Sequence, residues 1–263
     1  MKSRPTDSGA PRQFEKPTGF LAWLLGTMFV LWLTFAILIN WAKVGVSVYG
    51  LLVMDVQGIL RGEAWRFFTA PFIHSITAQQ GVWHILVNLM LIYSSGRHLQ
   101  AEWGGRRLAL VLFSAALLAE LFQLAAFWLL PPLGQPIFYG SYAMSYAAIA
   151  AFGFSYRDRI VSVWLWQVRA VNVVWISLAF YLLVAFAAGR ITEGLLAPFV
   201  GAGVGYVLGG STPSPLRRLF LRRKLAELEK KSAKKSSASH LRLVSSNDEP
   251  QEPNSKDGDK WLN

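Results

Sequence analysis

The chain has no cysteine among its 263 residues. That excludes disulfides, thiolate metal sites and a cysteine nucleophile. Histidine is scarce: His74, His84, His98 and His240 are all there is, and none stands between His98 and His240. His74 and His84 have no third histidine or cysteine near them in sequence, so a metal site is not expected. Charged residues make up only 16% of the chain against 53% hydrophobic, with a mean hydropathy of +0.35. Five stretches approach or exceed the roughly 20 residues needed to cross a bilayer. No cleavable signal peptide is expected: the first apolar run is long, follows a polar tail, and lacks a small-x-small ending.

The net charge is nonetheless +11. Lys and Arg gather in the tails and short loops between apolar runs, which suits an anionic membrane surface better than nucleic acid. The expected partners are therefore membrane lipids, with no nucleic acid and no cofactor.

Residues 1–18 are polar, contain Pro5, Pro11 and Pro17, and read as a disordered tail. Residues 19–210 read as one all-α membrane domain of six transmembrane helices. The first runs from Phe20 to Ala42. Lys43 to Gln80 carries Asp55, Arg61, Glu63 and Arg66 among aromatics and glycines, and reads as a long loop part-inserted at the interface. The second helix holds His84 and Asn88 and ends near Gly96. The third runs from Leu108 to Leu130, with Glu120 inside it as a hydrogen-bonding group toward a neighbouring helix, a proton relay being the less favoured alternative. The fourth spans about Gly140 to Phe154. Its many small residues predict a central helix surrounded by protein.

Arg157 to Arg169 reads as a connector with strand-like alternation at Val161, Val163 and Leu165. Val171 to Ala188 is the fifth helix. Gly194 to Gly210 is the sixth, with Pro198 inside it and a small-xxx-small ridge at Gly201, Gly205 and Gly209. Residues 211–235 form a basic amphipathic segment predicted to lie on the membrane surface; a calmodulin-type or nucleic-acid role is the less favoured alternative. Residues 236–263 read as a second disordered tail.

Six helices put both termini on one side. That side carries Lys2, Arg4, Arg12, Lys16, Arg97, Arg106, Arg107, Arg157, Arg159 and Arg169, against Lys43, Arg61, Arg66 and Arg190 on the other. The excess places both termini in the cytoplasm, with a bacterial inner membrane as the expected location. No inverted repeat is visible, and intramembrane charge is confined to Glu120, which argues against a transporter.

Four-residue spacing sets His84 and Asn88 on one helix face. A polar pair inside a membrane segment marks either a function or a packing contact between helices. Upstream stands Gly62-Glu63-Ala64-Trp65-Arg66-Phe67-Phe68-Thr69-Ala70-Pro71-Phe72-Ile73-His74, and downstream Gly96 and a Gly104–Gly105 turn. Together these resemble the rhomboids, a family of intramembrane serine proteases, over about Phe20 to Gly210. The resemblance implies a structural role for the loop with Gly62, Glu63, Trp65 and Arg66. It implies an oxyanion-stabilising role for His84 and Asn88.

The family then carries Gly-x-Ser-Gly-x-x-Tyr-Ala on its fourth helix and His-x-x-Gly-x-x-x-Gly on its sixth. Here the first stretch reads Gly140-Ser141-Tyr142-Ala143-Met144-Ser145-Tyr146-Ala147, with Tyr142 at the serine position. The second reads Ile191-Thr192-Glu193-Gly194-Leu195-Leu196-Ala197-Pro198, with Ile191 at the histidine position and only Gly194 matching. The family's acid after the second helix is replaced by Gln100, with Glu102 two residues on.

Tyr142 without a base is no nucleophile, its reference pKa being about 10. Ser141 and Ser145 are the fallback nucleophiles, but Ser141 is turned about 100° from the family position. Glu193 would be a poor base for it. Tyr142 and Tyr146 are expected to pack into the space a catalytic cavity would occupy. The reading is a rhomboid-fold protein without the dyad, which binds transmembrane segments of other membrane proteins at a lateral opening between the second and fifth helices and does not cleave them. The alternative is an active intramembrane serine endopeptidase using Ser141 or Ser145.

Overall fold

A computed structural model describes residues 17–77, 81–130, 134–163, 166–188, 194–209 and 215–238. Most of the tail assignments, and Ile191, Glu193 and His240, lie outside them. The chain divides into two units, Met1–Arg218 and Leu219–Asn263.

The first helix, α1 (Gly19–Asn40), buries Leu21, Leu24, Met28 and Phe35. Their spacing of three, four and seven makes one stripe, which packs on a long helix, α5 (Gly81–Leu129). Gln100 ties the two together. Its Oε1 accepts from the Leu21 amide at 2.8 Å and its Nε2 donates to the Thr18 carbonyl at 2.7 Å. It thus satisfies one of the amides a helix start leaves without a partner.

The first loop is more ordered than expected. It folds into α2 (Val46–Leu52), a two-residue strand β1 (Met54–Asp55), α3 (Val56–Leu60), α4 (Arg66–Thr69) and a 3-10 turn, η1 (Ala70–Phe72). Asp55 caps α3 by accepting from the Gln57 and Gly58 amides. Arg66 is the hub. Its buried guanidinium pairs with Glu63 and donates to the carbonyls of Gly50 and Val53. Five donors in a planar fork are what such a convergence needs. Trp65 donates to Leu51 O, and Thr69 to Leu52 O.

Helix α5 does not stop at Gly96. It runs on to Gly104, whose φ of 77° and ψ of 160° break it into two arms. Gly96 instead lies against Leu21, where a Cβ would come within 3.1 Å of that side chain. It serves close packing rather than termination.

After α5, strand β2 (Ile137–Phe138) pairs antiparallel with β1, Met54 opposite Phe138. The central helix, α6 (Tyr142–Ser155), is buried along almost its whole length. Strands β3 (Ile160–Val163) and β4 (Trp166–Arg169) form a hairpin where the sequence alternates. It leads into α7 (Ala170–Ala188).

The last helix of the bundle, α8 (Ala197–Gly209), lays Gly201, Gly205 and Gly209 against Ala143, Ala147 and Ala151 of α6. Two small-residue ridges facing each other let the backbones touch. Pro198 stands in the first turn of α8, not in its interior. Its missing N–H therefore frees no carbonyl.

Among the described residues, three helices, Gly19–Asn40, Gly81–Leu129 and Ala170–Ala187, are long and apolar enough to cross a membrane, and α8 is a shorter apolar helix. Their outer faces expose Trp23, Phe29, Leu121, Phe122, Phe180 and Phe186, a surface suited to lipid rather than water. In the second unit, the described residues continue the basic helix α9 (Pro215–Ala238), with Leu219, Phe220, Leu225 and Leu228 exposed.

Candidate active site

His84 and Asn88 do share one buried face of α5. Asn88 Nδ2 donates to the His84 carbonyl at 2.9 Å, and its Oδ1 accepts from Ser145 Oγ at 2.6 Å. The Ser75 amide donates to His84 Nδ1 at 3.3 Å. An accepting Nδ1 puts the hydrogen of the neutral ring on Nε2. That is the donor tautomer an oxyanion site would use.

Tyr142 opens α6. Its ring stands edge-on to His84 at 5.3 Å and to Tyr181 of α7 at 5.5 Å, with Tyr146 at 6.4 Å. Tyr146 donates to Ser177 O, and Tyr181 to Gly194 O. Three tyrosines thus fill the space between α5, α6 and α7 beside His84, each pair in the edge-to-face geometry aromatic rings favour.

Ser141 was expected not to point where the family's nucleophile should. It meets a base. Its Oγ lies 2.9 Å from His74 Nε2, with both residues fully buried. His74 Nδ1 is 3.0 Å from the Phe72 carbonyl, which can only accept, so Nδ1 carries the hydrogen. Nε2 is then the acceptor for the Ser141 hydroxyl. The His74 ring sits 5.2 Å from that of His84, and its backbone is held by Tyr49 donating to His74 O. Burial first, then the neighbouring His84, pull the His74 pKa down to about 3, with the Phe72 carbonyl opposing.

Sequence reasoning missed this pair. It looked for a histidine on the sixth helix, whereas His74 comes from the first loop, 67 residues before Ser141. The order of that loop, set by Arg66 and by Trp32 donating to Ser75 O, is what delivers it.

Glu120 was expected to bond a neighbouring helix. It is buried, but its Oε2 has no hydrogen-bond partner among the described residues. It lines a small cavity with Pro71, Ala116, Ala119, Gly140, Ala143 and Ala197. Glu102, by contrast, is paired, accepting from the Tyr156 hydroxyl.

No curated protein matches the chain. The model of the rhomboid domain matches residues 61–212, more than half of the sequence. That span takes in the Arg66 hub, the His84–Asn88 face and the α6–α8 ridges. This integral membrane protein belongs to the rhomboid family.

Proposed function

We propose that the chain binds transmembrane segments of other membrane proteins without cleaving them. The observation that carries this reading is Tyr142. At the position where the family places its nucleophile, a phenol is wedged between His84 and Tyr181. The sequence also puts Ile191 where the family's base belongs. Six spans with both termini cytoplasmic fit the Lys and Arg distribution. The two arms of α5 supply two of them. Client entry between the second and fifth spans extends the family resemblance.

A second reading has its own observation. Ser141 and His74 form a hydroxyl–imidazole pair with the tautomer a general base requires. Against it, neither side chain reaches solvent, and an imidazole with a pKa near 3 is a weak proton acceptor.

One experiment separates the two. The purified protein is treated with a fluorophosphonate probe and incubated with a model transmembrane substrate, while clients are recovered by crosslinking in the membrane. The binding reading expects crosslinked clients, no adduct and no cleavage. An adduct and cleavage both lost in Ser141→Ala and in His74→Ala would establish the second reading instead.

A further inference from the structure

Among the described residues, Glu120 is the one acidic side chain lining its cavity; Phe138 and Tyr139 are the large members of the wall, and the rest are alanine, glycine and proline. It lies on the second arm of α5, nine residues before Leu129, about 14 Å along the helix from that end. Pro71 of η1, Phe138 to Gly140, Ala143 of α6 and Ala197 of α8 close round it. Four alanines, a glycine and a proline leave room where larger side chains would not.

The cavity holds about 20 Å³, enough for one water-sized group. Glu120 lines it, and the buried Oε2 of that side chain has no partner among the described residues. An acceptor buried in this way is costly to leave bare and calls for a donor.

Resting on the client-binding reading, we propose that this cavity receives a primary ammonium group, the head of a lysine on a client's transmembrane segment. An ammonium supplies the donors this oxygen lacks and, once paired, the opposite charge that lets a carboxyl ionise among mostly apolar groups. Size selects ammonium over guanidinium, because an –NH₃⁺ head is close to a water molecule in bulk and an arginine fork is several times larger. Depth selects a side chain over a lipid headgroup, whose ammonium stays at the membrane surface. Position connects it to the client site: Gly140 and Ala143 flank Ser141 and Tyr142 on the same helix start. A lysine in a membrane segment is itself unstable there, so Glu120 would favour the helices least at home in lipid.

The test uses the full chain in nanodiscs of phosphatidylcholine and phosphatidylglycerol. The probe is a fluorescent leucine–alanine transmembrane peptide carrying one lysine, moved residue by residue through one half of the helix. Companion peptides carry norleucine, N-acetyl-lysine or arginine at the same place. At one or two adjacent positions the lysine peptide should bind at least tenfold more tightly than all three companions. Glu120→Gln should bring the lysine-to-norleucine ratio to about one.

Equal binding of lysine and norleucine peptides at every position overturns the inference and leaves client binding standing. If no peptide binds at all, the client-binding reading falls and takes the inference with it. If phosphatidylethanolamine abolishes the lysine advantage, the occupant is a lipid headgroup and the inference is overturned. The peptide comparison is made in the unaltered protein, so it stands even if Glu120→Gln folds poorly.

Discussion

The Tyr142 ring meets the His84 ring edge-on, centroids 5.3 Å apart and planes at 86°. The phenol is held from two helices, since Tyr181 packs against its other side. Truncating it leaves a hole that three packed elements cannot easily close. Tyr142→Ala should destabilise the protein by about 3 to 4 kcal/mol, read as a lowered thermal unfolding midpoint in detergent. Tyr142→Ser should gain no fluorophosphonate adduct, because the imidazole beside it, His84, already accepts at Nδ1 from the Ser75 amide and carries its hydrogen on Nε2.

The Ser141–His74 bond is sealed from solvent, so removing one partner strands the other. Ser141→Ala should cost about 1 to 3 kcal/mol. Thermal midpoints of the variant and the parent at pH 7.5 check this. A change below the error of the measurement would mean that Nε2 finds another donor.

The same imidazole sets a pH dependence. Its folded pKa, about 3, lies below the unfolded value near 6.5. The unfolded chain therefore binds the extra proton first. The stabilisation is complete above pH 6.5 and drains away as the pH falls toward 3. Over that whole window the loss is on the order of 4 to 5 kcal/mol. Unfolding midpoints between pH 7.5 and 4 should fall in the parent and fall less steeply in His74→Gln.

Backbone contact between α6 and α8 depends on glycine at successive turns. A Cβ at Gly205 would run into the Ala147 carbonyl, whereas one at Gly203 meets nothing within 4 Å. Gly205→Val should cost at least about 3 kcal/mol through forced separation of the helices. Gly203→Ala should be neutral or slightly stabilising. Expression and melting of the two variants give the comparison.

Arg66 joins one carboxylate and two carbonyls inside the first loop. Arg66→Ala takes the buried donor from the Gly50 and Val53 carbonyls and should cost about 1 to 3 kcal/mol. Arg66→Lys keeps the charge but loses the fork and should fall between. Protease susceptibility of the loop should rise in the same order.

The glycine ridge, the small-residue centre at α6 and the His84–Asn88 face were legible because each is a local repeat at helical spacing. Period and size were enough to give the packing face. Gly96 misled because a glycine near the end of an apolar run reads as a stop, while its use here is close contact with Leu21. Only Gly104, at positive φ, breaks the helix.

Pro198 read as an interior residue of the sixth helix because the start of that helix was placed three residues too early. The first loop's short helices were hidden since their stability comes from Arg66, Asp55 and the β1–β2 pairing, not from a periodic pattern. The Ser141–His74 and Gln100–Thr18 bonds join residues far apart in sequence, and no spacing rule connects them.

The β1–β2 ladder, small as it is, ties two distant connectors into one plate. Met54 and Asp55 are stitched to Phe138 and Ile137, the Val56 amide donates to Pro136 O, and the Gly140 amide to Ala70 O. Tilting the first connector therefore drags along the strand that feeds Ser141. Displacing either connector must break hydrogen bonds held by the other, so the cost of opening that end is spread across the whole plate rather than set by one flap.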